Sequence, residues 1–109
     1  MSDHSEEPIV VLMTAANREE AKRIAEALIE TRLAACVQLL PEIESVYRWQ
    51  GKINCDLEVL LLAKTTRAHF SDLDRKVREV HSYETPEIIA LEIVEISEAY
   101  RKWLVDCLA

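Results

Sequence analysis

The segment from Leu33 to Lys64 constrains the fold more than any other, because its pattern predicts one long hairpin around the only glycine of the chain. Two extended runs, Leu33–Gln50 and Lys52–Lys64, flank Gly51. Glycine supplies the positive φ that a tight hairpin turn needs. Pro41 interrupts the first run, and we expect a bulge or an edge position there, since proline donates no hydrogen bond to a neighbouring strand.

The predicted hairpin is longer than the domain that would support it. At roughly 3.3 Å per residue its two runs could reach about 59 Å and about 43 Å. A compact domain of 109 residues has a diameter of only about 34 Å. An isolated two-stranded ribbon is marginal in water, and this one would expose Tyr47 and Trp49. We therefore expect the arm to pack on a neighbouring subunit, the alternative being an arm that folds back onto its own core.

The rest of the chain alternates strand and helix patterns, and Asn17 with Glu20 forms a capping-box-like helix start. We expect the side chain of Glu20 to lie on the solvent side of that helix. In chain order the predicted elements are a strand at Pro8–Ala16, a helix from Arg18 to about Arg32, the hairpin, a helix from Thr65 or Thr66 to about His81, a strand at Glu87–Ile96 and a helix capped by Ser97. The order β-α-β-β-α-β plus a helix predicts an α+β, ferredoxin-like fold. Residues 1–7 are expected to be an acidic flexible tail and residues 8–109 a single domain.

Composition excludes several classes of function. The net charge of −7 argues against nucleic-acid binding, which needs clustered cations. One glycine cannot build a phosphate-binding loop. No apolar run exceeds five residues, whereas a bilayer span needs about 20, and the acidic N-terminus is unlike a secretory signal. The three separated cysteines are expected to be reduced, with Cys36 and Cys107 buried, which favours a cytoplasmic location.

An ordered set of motifs indicates a family. These are IVVLMTA, RLAACVQLLP, SVYRWQGKI, EVLLLAKTT, HSYETPEII and YRKWL, which together cover nearly the whole chain from Ile9 onward. The chain resembles the CutA family of divalent-cation-tolerance proteins. The resemblance implies a homotrimer whose long hairpins build sheets between subunits, a link to copper and divalent-metal tolerance, and no securely assigned enzymatic reaction.

One group of metal-ligand residue types follows the second helix, since His81, Tyr83, Glu84 and Glu87 lie within seven residues. Imidazole and carboxylate groups bind Cu²⁺ and Zn²⁺, but this spacing is not a recognised metal motif. A histidine at a helix end more often caps carbonyl groups.

The resemblance to the CutA family also implies which residues near His81 would bind copper. Copper-binding members of the family have a cysteine at the end of the first strand and paired histidines before Pro-Tyr. Here Met13 stands at the first position, and His81 is preceded by Val80 and followed by Ser82. His81 is thus the candidate ligand for copper or another divalent cation. Met13 is a weaker candidate that we expect in the core.

A second set of residues is predicted to line clefts between subunits. Glu58 and Lys64 stand at the two ends of a strongly apolar strand, where a charge needs a partner or solvent. The full predicted set is Cys36, Tyr47, Trp49, Glu58, Lys64, Tyr83, Glu84 and Glu87. These residue types could recognise a ligand or transfer a proton. A salt-bridge and packing network between subunits explains them equally well.

The leading hypothesis is a cytoplasmic homotrimer that acts in metal tolerance or small-ligand signalling, with an unidentified protein partner and without nucleic acid or membrane. One alternative is a small enzyme of unknown reaction that uses His81, Tyr83, Glu84 and Glu58. The other is a structural trimer whose effect on metal tolerance is indirect. No spacing of nucleophile, acid and base in the chain specifies a reaction, so we expect no enzyme.

Overall fold

A computed structural model describes residues 6–109. The elements are β1 (Pro8–Ala15), α1 (Arg18–Glu30), β2 (Cys36–Trp49), β3 (Lys52–Thr66), α2 (Phe70–Val80), β4 (Ile88–Glu92) and α3 (Glu98–Cys107), with a short 3-10 turn at Arg67–His69 before α2. The sheet has the order β2-β3-β1-β4, and all neighbouring strands are antiparallel. The α+β fold and its predicted order of elements are confirmed.

The core lies between one face of the sheet and the helices α1 and α2. Alternate residues of β1 and β3 point to this face, as the two-residue period of a strand requires. The helices contribute residues spaced by three or four positions, which form one apolar stripe each. The fully buried set includes Val11, Met13, Ile24, Leu28, Leu61, Leu73 and Val77. The expectation that Met13 belongs to the core is therefore confirmed.

A β-bulge at Pro41 and Glu42 decides which side chains share a face on the hairpin. Leu40 pairs with Leu60, but the next pair is Ile43 with Glu58, so β2 carries one extra residue. Glu42 takes a φ of 64°. Because strand side chains alternate, one extra residue reverses the two faces. The bulge, which was expected at Pro41, thereby brings the outer half of β2 into register with the face of Glu58.

The outer half of the hairpin projects from the body of the subunit. The subunit measures 47 × 26 × 22 Å, with a radius of gyration of 14.7 Å, against about 13 Å for a compact chain of this length. Apolar side chains on the arm stay uncovered, since Val46 is 66% exposed and Ile53 is 72% exposed. The arm does not fold back onto its own core.

Strand β4 is shorter than the sequence pattern predicts, ending at Glu92 rather than Ile96. Glu92 pairs with Ile9, next to the first residue of β1. Beyond that point β1 offers only Pro8, which has no N–H group to donate, and Val94 is almost fully exposed. The length of β4 is thus set by its partner strand and not by its own apolar composition.

The N-terminal segment is held at its junction with the sheet. The Glu7 carbonyl accepts a hydrogen bond from the Arg67 N–H at 3.0 Å, and the Glu7 carboxylate accepts one from Arg67 Nε at 2.8 Å. The predicted flexible tail lies outside the described residues over positions 1–5. Across residues 6–109, no helix combines the length and the apolar character needed to cross a membrane.

Candidate functional site

A cleft of about 590 Å³ lies beside the hairpin, next to the end of β1 and the loop that follows α2. Its lining residues are Thr14, Ser45, Val46, Tyr47, Trp49, Glu58, Tyr83, Glu84, Thr85 and Glu87. Three elements distant in sequence thus meet at one place. The structure brings six of the eight predicted cleft residues together here, all except Cys36 and Lys64.

A hydrogen bond between Tyr83 and Glu58 joins the loop to the hairpin. Tyr83 Oη donates to Glu58 Oε2 at 2.8 Å, and Glu58 is only 9% exposed. Burial, together with the bond to the Glu58 carboxylate, raises the pKa of Tyr83 well above its usual range. The phenol therefore remains protonated and serves as a donor, which fixes Tyr83 against β3 and Glu58 in the wall of the cleft.

Two further aromatic side chains stand where the arm borders the cleft. Tyr47 donates its hydroxyl to Asp56 on the opposite strand, and this bond raises the pKa of Tyr47. The bond ties the ring of Tyr47 to the face of β3 that carries Glu58. Trp49 is 57% exposed. The arm thus presents two ring surfaces beside a buried carboxylate.

His81 directly follows the last residue of α2, and both of its ring nitrogens form hydrogen bonds. Its Nε2 lies 2.7 Å from the Thr14 carbonyl oxygen, and its Nδ1 accepts the Tyr83 backbone N–H at 3.0 Å. Since Nδ1 accepts, the proton is on Nε2 and the ring is neutral. Although His81 is the C-cap residue of α2, its side chain bonds to the end of β1 and to the following loop, and thereby ties the two together.

The residues of one chain do not fit a copper ion as they stand. A metal could bind His81 only by displacing one of its two hydrogen bonds, and Met13 is completely buried among apolar side chains. Within residues 6–109, no three His, Cys, Asp or Glu side chains are grouped so as to hold a metal ion. The assignment of His81 as a metal ligand stays a prediction.

Glu20 supports the site from behind, and its role was not predicted. It is buried rather than on the solvent side of α1, with 3% exposure. Its carboxylate accepts the Ala16 N–H at 2.9 Å and the Ser82 N–H at 2.8 Å. Burial raises the pKa of Glu20, but the hydrogen bonds from Ser82 and Ala16 outweigh it, so the pKa lies below its ordinary value.

Of the contacts of Glu20, the sequence pattern predicts the one with Asn17 but not the one with Ser82. Asn17 Oδ1 accepts the Glu20 N–H at 2.9 Å, as the capping-box pattern predicts. The contact with Ser82, 62 residues away, has no local pattern. It joins the start of α1 to the loop that carries Tyr83.

Cys36 and Lys64 lie elsewhere in this chain. They are opposite each other on β2 and β3, and Lys64 Nζ donates to Gln38 Oε1 at 2.5 Å. Lys64 is six residues along β3 from Glu58, which corresponds to about 20 Å. Both Cys36 and Cys107 are half-buried rather than buried. A place for Cys36 and Lys64 in a cleft between subunits stays a prediction.

Comparisons with known proteins assign the family. Residues 9–107 match the model of the CutA1 divalent ion tolerance protein. The chain is 50% identical over 95 residues to the divalent-cation tolerance protein CutA of Thermus thermophilus, covering 87% of this chain and 92% of the relative. It is 45% identical over 96 residues to the chloroplastic protein CutA of Arabidopsis thaliana, covering 88% of this chain but only 53% of that longer relative.

Solved structures agree in fold over nearly the same span. The structure of the divalent cation tolerance protein Cut A1 from Thermus thermophilus has a TM-score of 0.87 at 48% identity, with 89% of this chain and 94% of that chain covered. CutA1 from Oryza sativa has a TM-score of 0.91 at 41% identity, with 96% of each chain covered. With the sequence and the fold in agreement over these lengths, the chain belongs to the CutA1 divalent ion tolerance family.

Proposed function

We propose that this chain is a cytoplasmic homotrimer that acts in the tolerance of divalent cations by binding a metal ion or a small ligand at its clefts, and that it is not an enzyme. The observation that carries the proposal is the Tyr83–Glu58 pair, which holds a nearly buried carboxylate in the wall of a cleft. The relatives are divalent-cation tolerance proteins by name, and this supplies the cellular context.

Self-association is supported by apolar surface that one subunit leaves uncovered. Val46, Ile53 and Leu57 are each more than half exposed on the arm, and Ile89 and Leu91 are about half exposed on β4. Strands β2 and β4 are also the two edges of the sheet, and sheet edges offer unpaired backbone groups to a neighbouring strand. Further copies of the chain would cover the exposed apolar side chains and the two sheet edges. Contacts of this kind would explain why the arm is long. The three-fold symmetry itself is what the family resemblance implies, and it is part of the proposal.

The cleft lies where such an assembly would form. Tyr47 and Trp49 border it from the arm, while Tyr83 and Glu84 border it from the body of the subunit. A neighbouring subunit that packs on the arm would therefore stand beside the cleft. The two remaining residues of the predicted set, Cys36 and Lys64, would then come from a second copy.

The binding hypothesis is favoured over the enzyme hypothesis by the way in which the polar groups are engaged. Both nitrogens of His81 bond to backbone groups, so neither faces a ligand with a free lone pair. Tyr83 has a strongly raised pKa and donates to Glu58, which makes it a poor base. These contacts hold the loop in place and do not prepare a proton transfer.

Native mass spectrometry of gently purified protein tests the assembly, and calorimetry tests the cleft. We expect a trimer, and we expect Glu58→Gln to weaken the binding of Cu²⁺ or Zn²⁺ by about tenfold or more. Glu79→Gln is the matched control, since Glu79 is 58% exposed on α2. A folded monomer would refute the assembly, and equal affinities in the two variants would refute the assignment of the cleft.

A further inference from the structure

The cleft combines aromatic rings and carboxylates without any basic side chain. Three of its ten lining residues are aromatic, namely Tyr47, Trp49 and Tyr83, and three are glutamates, at positions 58, 84 and 87. The part of the lining that residues 6–109 of one chain supply contains neither lysine nor arginine. An aromatic ring carries negative potential on its face and attracts cations, and ammonium groups are recognised in this way. The chemistry of the wall is therefore complementary to a positive charge.

Glu58 adds an independent indication, because its carboxyl group lines the cleft without a cationic partner among the described residues. The residue is nine-tenths buried, and the one hydrogen bond of its side chain within residues 6–109 is the bond that Oε2 accepts from Tyr83. No ion pair between side chains of that part of the chain includes Glu58. Among the described residues no buried side-chain oxygen lacks a partner, so Oε1 is not sealed off from the cleft. A cation in the cleft can therefore supply the counter-charge and donate to Oε1.

The size and ligand chemistry of the cleft favour an organic cation over a bare metal ion. Its volume of about 590 Å³ lies within the usual range of small-molecule sites, about 300–1,000 Å³. The described residues offer no grouping of three metal-binding side chains. An ammonium ion, by contrast, needs one carboxylate and ring faces rather than a set of directed ligands.

We propose that this cleft binds a small organic ammonium ion, with the cationic head between the Glu58 carboxylate and the ring faces of Tyr47 and Trp49. The inference rests on the proposed function only in taking this cleft as the ligand site. It names the chemical class of the ligand, which is an amine or a quaternary ammonium compound.

Tryptophan fluorescence of the full chain tests the proposal. The chain has two tryptophans, and Trp103 lies on α3 beside Tyr100, with ring centroids 5.4 Å apart, and does not line the cleft. In a Trp103→Phe background, Trp49 is the only reporter. The probe is tetramethylammonium chloride, with tert-butanol as the neutral isostere and sodium chloride at equal ionic strength as the salt control. Calorimetry on the unmodified protein provides a second measurement that does not depend on the Trp103 substitution.

We expect a saturable change with tetramethylammonium and none with tert-butanol or sodium chloride. Glu58→Gln should weaken the binding about tenfold or more, whereas Glu79→Gln should leave it unchanged. The absence of saturable binding of tetramethylammonium in both measurements would overturn the inference, and so would equal affinity in the two glutamate variants.

Titration with Cu²⁺ and Zn²⁺ in the same assays separates this inference from the proposed function. Metal binding that requires Glu58, in protein that does not bind tetramethylammonium, would overturn the ammonium assignment and keep the cleft as the ligand site. Failure of the metals and the ammonium ion alike would overturn both.

Discussion

Replacement of Glu20 by glutamine is the sharpest test of how the candidate site is held together. One carboxylate oxygen accepts the Ala16 N–H and the other accepts the Ser82 N–H. The glutamine side chain has the same shape but offers one oxygen and one NH₂ group. One of the two backbone N–H groups would then face a donor instead of an acceptor.

The expected magnitude follows from the geometry. Hydrogen bonds to a charged group contribute about 1.5–3 kcal/mol each, and a buried donor without a partner costs a similar amount. We therefore expect Glu20→Gln to lower the free energy of unfolding by about 2 kcal/mol at pH 7, and Glu20→Ala, which loses both acceptors, by about 4 kcal/mol. Glu19→Gln is the control, because Glu19 is the exposed neighbour on the same helix turn. It should cost less than about 0.5 kcal/mol.

The dependence on pH gives a second readout with a defined sign. The pKa of Glu20 is lowered in the folded protein, so the stability contributed by its ionised form is present above the unfolded value of about 4.3. That contribution is lost as the pH falls through the folded pKa. The difference between the unmodified protein and Glu20→Gln should therefore shrink between pH 7 and pH 3.

Urea unfolding at several pH values measures both effects. All variants are compared at equal protein concentration, since self-association makes unfolding depend on concentration. Equal stabilities for Glu20→Gln and Glu19→Gln at pH 7 would refute the reasoning. A difference that grows as the solution is acidified would refute it as well.

Three further substitutions test other parts of the structure. Gly51 has a φ of 77° with no atom within 4 Å of an added Cβ, so Gly51→Ala should cost about 1–2 kcal/mol in urea unfolding through backbone strain alone; no loss would contradict the turn geometry. Tyr83→Phe removes the donor to Glu58 and should lower the free energy of unfolding by about 2 kcal/mol, whereas a neutral result would mean that this bond does not hold the loop. His81→Ala should lower the stability, because both ring nitrogens are bonded; in calorimetry, a tenfold loss of affinity for Cu²⁺ would support the prediction that His81 is a ligand, and an unchanged affinity would refute it.

Several features of the fold follow from local sequence patterns, and these were predictable. Alternation of apolar residues indicates the strands, and the three-to-four residue spacing indicates the helices. Gly51 at the hairpin tip and the bulge at Pro41 follow from the backbone chemistry of single residues. The bulge also explains why Tyr47 and Trp49 share a face with Glu58, although that consequence depends on strand pairing.

The candidate site was likewise predictable only in part. Its acidic and aromatic members were recognisable as residue types, and the structure brings most of them together. Within one chain, strand register puts Cys36 and Lys64 opposite each other and about 20 Å from Glu58, so their place in a cleft between subunits stays a prediction. The number of residues between two positions on a strand sets their distance, and side-chain chemistry does not change it.

The sequence by itself determined the order of the elements, the turn at Gly51 and the length of the arm, because each depends on neighbouring residues only. Tertiary structure alone decided the burial of Glu20 against Ser82, the neutral state of His81, the end of β4 at Glu92 and the unpaired charge of Glu58. Each of these depends on a partner that lies far away along the chain and is brought close by the packing of the sheet and the loops. Hydrogen-bond partners and desolvation are properties of that packing, and no local pattern encodes them.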